Sequence, residues 1–184
     1  MKKIIRIKRE EAVLVAVDYQ EKLLPAMENA PLIEKNTIKL AKGLKVMGVP
    51  GVITTQYSRG LGNTVAPVAE ALGNLEPVDK TYFSAYMDEV FRQKLEDFGK
   101  TTVILAGIET HICVEQTALD LLENGYNVVL AADCCGSRDL TNHRISIERL
   151  RKEGVVISSS ESILYEILHG AKAPEFKEIS AIVK

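Results

Sequence analysis

The sequence has too few cysteines to be held together by disulfides. It has three, Cys113, Cys134 and Cys135. Two are adjacent and one stands alone, which makes a poor disulfide framework and matches no zinc-ligand spacing. Long apolar runs are also missing. No stretch approaches the ~20 residues that span a bilayer, and the basic first residues are not followed by the apolar segment and small-residue cleavage site of a secretory leader. A cytoplasmic protein with no membrane partner is expected. Charge of one sign is missing too. With 23 Lys and Arg against 25 Asp and Glu, the formal net charge is -2, and no basic run is long enough to track phosphates. Nucleic acid is therefore not an expected partner. Lys2, Lys3, Arg6, Lys8 and Arg9 are interrupted by Ile4, Ile5 and Ile7, and read as the edge of the first structural unit. Linkers, internal repeats and low-complexity segments are absent, so the 184 residues suit a single domain, 1–184, with a full core.

What is present is an alternation of strand-like and helix-like segments. Ala12 to Val17 is a continuous apolar run ending at Asp18, the pattern of a strand buried on both faces. Further strands are expected at 51–55, 77–79, 101–106, 127–132 and 155–157. Helices are expected at 32–47, 86–98, 112–123, 141–152, from about 161 to 168, and at 174–184. Ser158, Ser159, Ser160 and Glu161 have capping-box spacing ahead of the fifth helix. Such alternation means parallel pairing with right-handed crossovers. The expected fold is an α/β, three-layer α/β/α sandwich with a mostly parallel six-stranded sheet. In such sheets sites lie at the carboxyl ends of strands. That rule selects Asp18, Thr55 to Tyr57, Lys80, Gly107 to Cys113, and Asp133 onward.

Cys113 follows a buried strand and a glycine, near the start of a helix. Helix-terminal N–H groups favour a thiolate, although a free cysteine is more often inert packing. Asp18, at a strand end, is placed either as a cap or as a general base. Lys80 sits at a strand terminus, whereas Lys39 and Lys94 lie on helices and read as solvated. Gln20, Tyr57, Phe83 and Tyr86 are candidates for substrate contact, against the plainer readings of turn cap for Gln20 and core for the aromatics. Gly60-Leu61-Gly62 lacks the strand–helix context of a dinucleotide loop. His111, His143 and His169 are scattered, with no metal-ligand spacing.

The order of Asp18 in VAVDYQ, Lys80 in VDKTYFSAY and Cys113 in AGIETHICV resembles that of the isochorismatase-like cysteine hydrolases. The likeness runs from Ala12 to about Leu168, and Gly107 to Val114 fits the family's G-x-x-T-x-x-C-V pattern. TTQYSRGLGNT, KTYFSAY, GIETHICV and FKEI resemble a subgroup of small isochorismatase-domain proteins. The resemblance implies a cofactor-free, metal-free hydrolase of a small amide-like molecule. Cys113 would be its nucleophile, Asp18 the proton acceptor, and Lys80 the residue holding both. It also implies a cis peptide at Ile108–Glu109, an oxyanion hole from the backbone N–H groups of Glu109 and Cys113, and a homo-oligomer. The sequence departs from the metal-binding nicotinamidase branch, because no histidine follows the second strand. It also places acidic Glu109 where many relatives have a small residue, which suggests that Glu109 faces a substrate amine or a subunit contact. The rival reading is a catalytically vestigial family member acting as a binding or assembly protein. A flavodoxin-like nucleotide-binding module is disfavoured by the missing phosphate loop.

Overall fold

The computed structural model describes residues 4–184. Lys2 and Lys3, part of the basic N-terminal reading, lie outside the described residues. Arg9 joins its neighbours to the rest of the fold through Glu175 (Nη1–Oε1 2.8 Å), at the entrance to the first strand.

Among the described residues, six strands form one sheet: β1 (Ala12–Val17), β2 (Gly51–Gln56), β3 (Val78–Lys80), β4 (Thr102–Ile108), β5 (Asn127–Gly136) and β6 (Val156–Ser158). Their order is β3-β2-β1-β4-β5-β6, and every neighbouring pair is parallel. The expectation of a mostly parallel sheet is thus met by a wholly parallel one. All six residues of β1 are buried, because the strand is covered on both faces. Leu14 and Ala16 face one apolar cluster, while Val13, Val15 and Val17 face the other. This alternation is the period-two geometry of a strand applied to two cores.

The first core is roofed by α1 (Ala30–Val46), α3 (Ala66–Ala71), α7 (Ser160–Leu168) and α8 (Phe176–Val183). The second is roofed by α4 (Glu89–Asp97), α5 (Glu115–Glu123) and α6 (Leu140–Glu153). In α1, Ile33, Thr37, Leu40, Ala41 and Leu44 are buried, a stripe at three- and four-residue spacing. The helix ends where Gly48 takes a φ of 69°, which a side chain would resist. A short α2 (Ser58–Leu61) precedes α3; neither carries a periodic apolar stripe long enough to read in sequence.

Three boundaries differ from expectation. The segment expected as one helix from 86 breaks into a 3-10 turn at Ala85–Met87 and then α4, because Asp88 caps the helix by accepting from Phe91 N (3.1 Å). β5 runs four residues further than its apolar pattern suggests. Its pairing with β4 jumps from Leu105↔Leu130 to Gly107↔Cys135, so residues between them bulge. The cap of α7 is Ser159, whose hydroxyl accepts from Ser162 N (3.3 Å), rather than Ser158 paired with Glu161. Asp133, in the bulge, accepts from Ser160 N (2.7 Å) and Ser160 Oγ (2.6 Å). Its carboxylate thus anchors the start of α7, two residues beyond the carboxyl end of β6.

Candidate active site

The strand order reverses between β1 and β4, the switch point at which ligands bind in open parallel sheets. Asp18 leaves β1 there with a φ of 55°, a conformation uncommon for a non-glycine residue. Its side chain is 0% exposed. Oδ1 accepts from Thr54 Oγ1 (2.7 Å) and Oδ2 from Lys80 Nζ (2.7 Å). Opposite it, Gly107 allows β4 to approach β1: a Cβ there would lie 2.5 Å from the backbone oxygen of Val17. That contact excludes any larger residue.

Lys80 ends β3, two strands from Asp18, and its chain reaches across β2. It too is 0% exposed. Besides Asp18, its ammonium donates to Gln56 Oε1 (2.7 Å) and faces the carbonyls of Phe83 (3.2 Å) and Tyr82 (3.3 Å). A buried cation is tolerated only with such a shell of acceptors. Thr54 and Gln56 complete this cage. Thr54 is absent from the sequence reading, because a threonine within a strand gives no sign of bonding a neighbouring carboxylate.

Cys113 lies inside a π-helical turn, Thr110–Val114, placed between β4 and α5. The Ile108–Glu109 peptide before it is cis, at the position the resemblance implied. The carbonyl of Glu109 accepts from both Ile112 N (3.1 Å) and Val114 N (3.2 Å), which ties the turn back on itself. The charges of Asp18 and Lys80 both act on the thiol. The acidity of that thiol differs from expectation. Burial, reinforced by the Asp18 carboxylate, pushes it up to about 12, with Lys80 only partly opposing. The helix-terminal amides were expected to favour the thiolate, but Cys113 precedes α5 within the π turn, and desolvation dominates.

This sets an expected pH profile. Alkylation of Cys113 by iodoacetamide should be slow at neutral pH and rise about tenfold per pH unit from 7 to 10 with no plateau. Cys113 should still label before Cys134 and Cys135, whose acidity no cation among the described residues offsets; burial raises both, Cys135 to about 12. Peptide mapping at several pH values reads both. A plateau near pH 8, or earlier labelling at Cys134 or Cys135, would contradict this site.

The four candidate substrate contacts separate. The Gln20 amide is fully occupied by the chain. Its Nε2 donates to the carbonyls of Gln56 (3.1 Å) and Gly62 (2.8 Å), and its Oε1 accepts from Gln56 N (2.7 Å). It braces the loop after β2, which corrects the substrate-contact reading in favour of the turn cap. Tyr86 is also corrected. It packs edge-on against Tyr126 at 6.2 Å, at the amino end of β5 and so across the sheet from the site, because the chain before α4 runs along α5, where Ser84 Oγ donates to Asp120 and Ala85 N to Thr117 Oγ1 (2.9 Å). Tyr57 and Phe83 remain at the rim, the residues 53% and 54% exposed and their backbones bonded to Lys80. A groove of about 510 Å³ runs from Thr81, Tyr82 and Phe83 to Gln116 and Asp120, starting one residue beyond Lys80. Glu109 is held within its own chain: Arg138 donates to it from N (2.9 Å) and Nε (3.0 and 3.1 Å). That pairing replaces the expected substrate amine or subunit contact.

The comparisons with known proteins agree with this architecture. An isochorismatase domain model matches residues 12–162. Isochorismatase domain-containing protein 1 of Danio rerio is 36% identical over 173 residues, 94% of this chain and 61% of that protein, so the chain spans about 61% of that relative's length. A secreted isochorismatase effector of Phytophthora sojae is 36% identical over 187 residues, 100% of this chain and 89% of its own length. The structure of MAR1 ribonuclease from Caenorhabditis elegans superposes with a TM-score of 0.91 at 32% identity, covering 97% of this chain and 92% of its own. With the fold, the match over most of its length and these relatives in agreement, the chain belongs to the isochorismatase family.

Proposed function

We propose that the chain is a cysteine hydrolase of a small amide-like substrate, with Cys113 as nucleophile, Asp18 as proton acceptor and donor, and Lys80 as the cation that holds both. The observation carrying this reading is the fully buried Lys80–Asp18 pair (2.7 Å) against a cysteine thiol. Two charges kept out of water at a strand end are costly as structure alone, and they sit where a general base is needed.

The raised thiol fits the role. At rest the proton stays on sulfur. As Sγ forms its bond to the substrate carbonyl carbon, the proton passes to Asp18. Collapse of the tetrahedral intermediate breaks the C–N bond, and the leaving amine takes the proton from Asp18. Water then attacks the thioester, giving a proton to Asp18; the acid departs and Cys113 regains its proton. The backbone N–H groups of Glu109 and Cys113 are the proposed oxyanion donors. Tyr57 and Phe83 border the entrance.

Under this proposal no cofactor or metal takes part. Among the described residues, no three His, Cys, Asp or Glu side chains group as metal ligands. Turnover should therefore survive exhaustive dialysis against EDTA. Loss of activity restored by zinc would overturn the metal-free reading.

The exposed side chains Tyr82, Phe83, Met87 and Val90, each more than half exposed, support a homo-oligomer. Size-exclusion chromatography with light scattering tests it. A cytoplasmic setting is likewise proposed, supported by three unpaired cysteines; the secreted relative is the counter-example. Among the described residues no helix is long and apolar enough to cross a membrane. RNA cleavage, suggested by the ribonuclease relative, is disfavoured by the net charge of -2 and by a triad too enclosed for a polymer. Screening small amides, ureides and carbamoyl compounds beside RNA, with Cys113→Ala as the blank, separates these readings from each other and from a vestigial protein.

A further inference from the structure

The groove of about 510 Å³ that starts beside Lys80 has apolar walls and one acidic side chain. Tyr82, Phe83, Met87 and Leu119 supply the walls, and Asp120 is the one charged residue among those that line it. Two elements join the groove to the nucleophile. The loop after β3 lays the carbonyls of Tyr82 and Phe83 on Lys80 (3.3 and 3.2 Å), and the same residues border the groove. α5 follows directly on the π turn of Cys113. It presents Gln116 and Asp120 to the groove, four residues apart and so on one face. At about 1.5 Å per residue, the helix carries Asp120 about 10 Å from Cys113.

Asp120 is half-buried. Its Oδ2 accepts from Ser84 Oγ, which ties helix to loop and settles the carboxylate's rotamer before a ligand arrives. That bond accounts for one oxygen. Among the described residues Oδ1 has no partner. A carboxylate oxygen left open between apolar walls favours a cationic donor in that place. Aromatic residues favour the same charge, since a ring face attracts a cation, and Met87 and Leu119 suit an alkyl stem. Lys80 does not oppose such a ligand, because its own charge is paired with Asp18 (2.7 Å).

We propose that the groove binds an ammonium group on an apolar stem, paired with Asp120, and that Cys113 acts on amides or carbamoyl compounds carrying that group about 10 Å from the attacked carbon. The inference rests on the cysteine-hydrolase reading and deepens it by naming the substrate class, aminoalkyl amides. The covalent step is unchanged. The Sγ–C bond forms, the C–N bond breaks, and the leaving amine takes the proton held by Asp18. The distal ammonium keeps its protons on Asp120 throughout.

Chloroacetamides of two lengths test this. The aminopentyl reagent places its ammonium about 10 Å from the carbon that Cys113 attacks, and its hexyl isostere is neutral. The aminoethyl reagent and its propyl isostere are too short to reach Asp120. Labelling at Cys113 is read by peptide mapping at about pH 8, where the alkylamine is charged. Each rate is expressed as cationic over neutral and divided by the same ratio for mercaptoethanol. Wild type should prefer the long cation by about tenfold and the short one by less than about twofold. Asp120→Asn, which keeps an acceptor for Ser84, should remove the long-reagent preference. So should Gln116→Lys, which puts a cation one helical turn from Asp120. Gln116 is exposed, so that variant keeps the test valid if Asp120→Asn folds poorly. A wild-type ratio equal to that of mercaptoethanol, the result if a second copy fills the groove, would overturn the proposal. So would an equal preference at both lengths, or one retained in both variants; each leaves Cys113 as nucleophile. No labelling of Cys113 by any of these reagents would overturn the cysteine-hydrolase reading, and this inference with it.

Discussion

Cys113→Ala should abolish turnover, with a loss on the order of 10⁵–10⁶-fold for any substrate the wild-type chain hydrolyses. The size follows from the chemistry. Asp18 and Lys80 polarise and relay a proton, but neither is placed to form the covalent bond that splits amide hydrolysis into two easier steps. The fold should survive, since the change removes one buried sulfur at a cost of about 1 kcal/mol. The thermal transition of the variant should therefore lie within a few degrees of wild type while activity falls to background. Activity retained to within tenfold would mean that water is attacked directly or that the nucleophile lies elsewhere.

Asp18→Asn should lower turnover by roughly 10²–10⁴-fold, and at the same time make Cys113 alkylate faster. The paired outcome follows from the causes of the raised thiol. Burial is the largest, and the Asp18 charge pushes in the same direction, against Lys80. Removing the carboxylate leaves Lys80 unopposed, so the thiol ionises more readily. The enzyme gains thiolate and loses the group that takes and returns the proton. Stability should fall as well, by about 3–5 kcal/mol, because Lys80 becomes an uncompensated buried charge. Rates are therefore compared well below the transition temperature. A partly unfolded chain would not mimic this pattern, since unfolding exposes Cys134 and Cys135 together with Cys113. Near-wild-type turnover would remove Asp18 from the mechanism.

Much of this site was legible because parallel sheets put function where apolar runs stop. VAVD, VDK and the glycine after VILA each marked a strand end, and these three ends meet in space. The relation between them was not legible. That Lys80 reaches over β2, or that Gln56 and Thr54 supply its cage and that of Asp18, depends on strand order, which local pattern does not carry. The Cys113 environment was misread for a related reason. Helix periodicity from 112 onward hides a π turn, and burial, a tertiary property, outweighs the local dipole. Gln20 and Tyr86 show the same limit in side chains, since a polar residue or an aromatic near a strand end has no direction until the loop is built. Arg138 gave no signal at all. It is one of many charged residues in a loop, and only its bond to Glu109 sets it apart.

The central claim is a covalent intermediate on Cys113. Its most direct measurement is acid quenching of wild type during turnover of a hydrolysed amide or carbamoyl substrate, followed by intact and peptide mass spectrometry. The account predicts an added mass equal to the acyl part of the substrate, confined to the peptide holding Cys113 and absent from Cys113→Ala. It also predicts that the adduct disappears once substrate is exhausted. Sustained turnover by Cys113→Ala, or an adduct on any other residue, would contradict it.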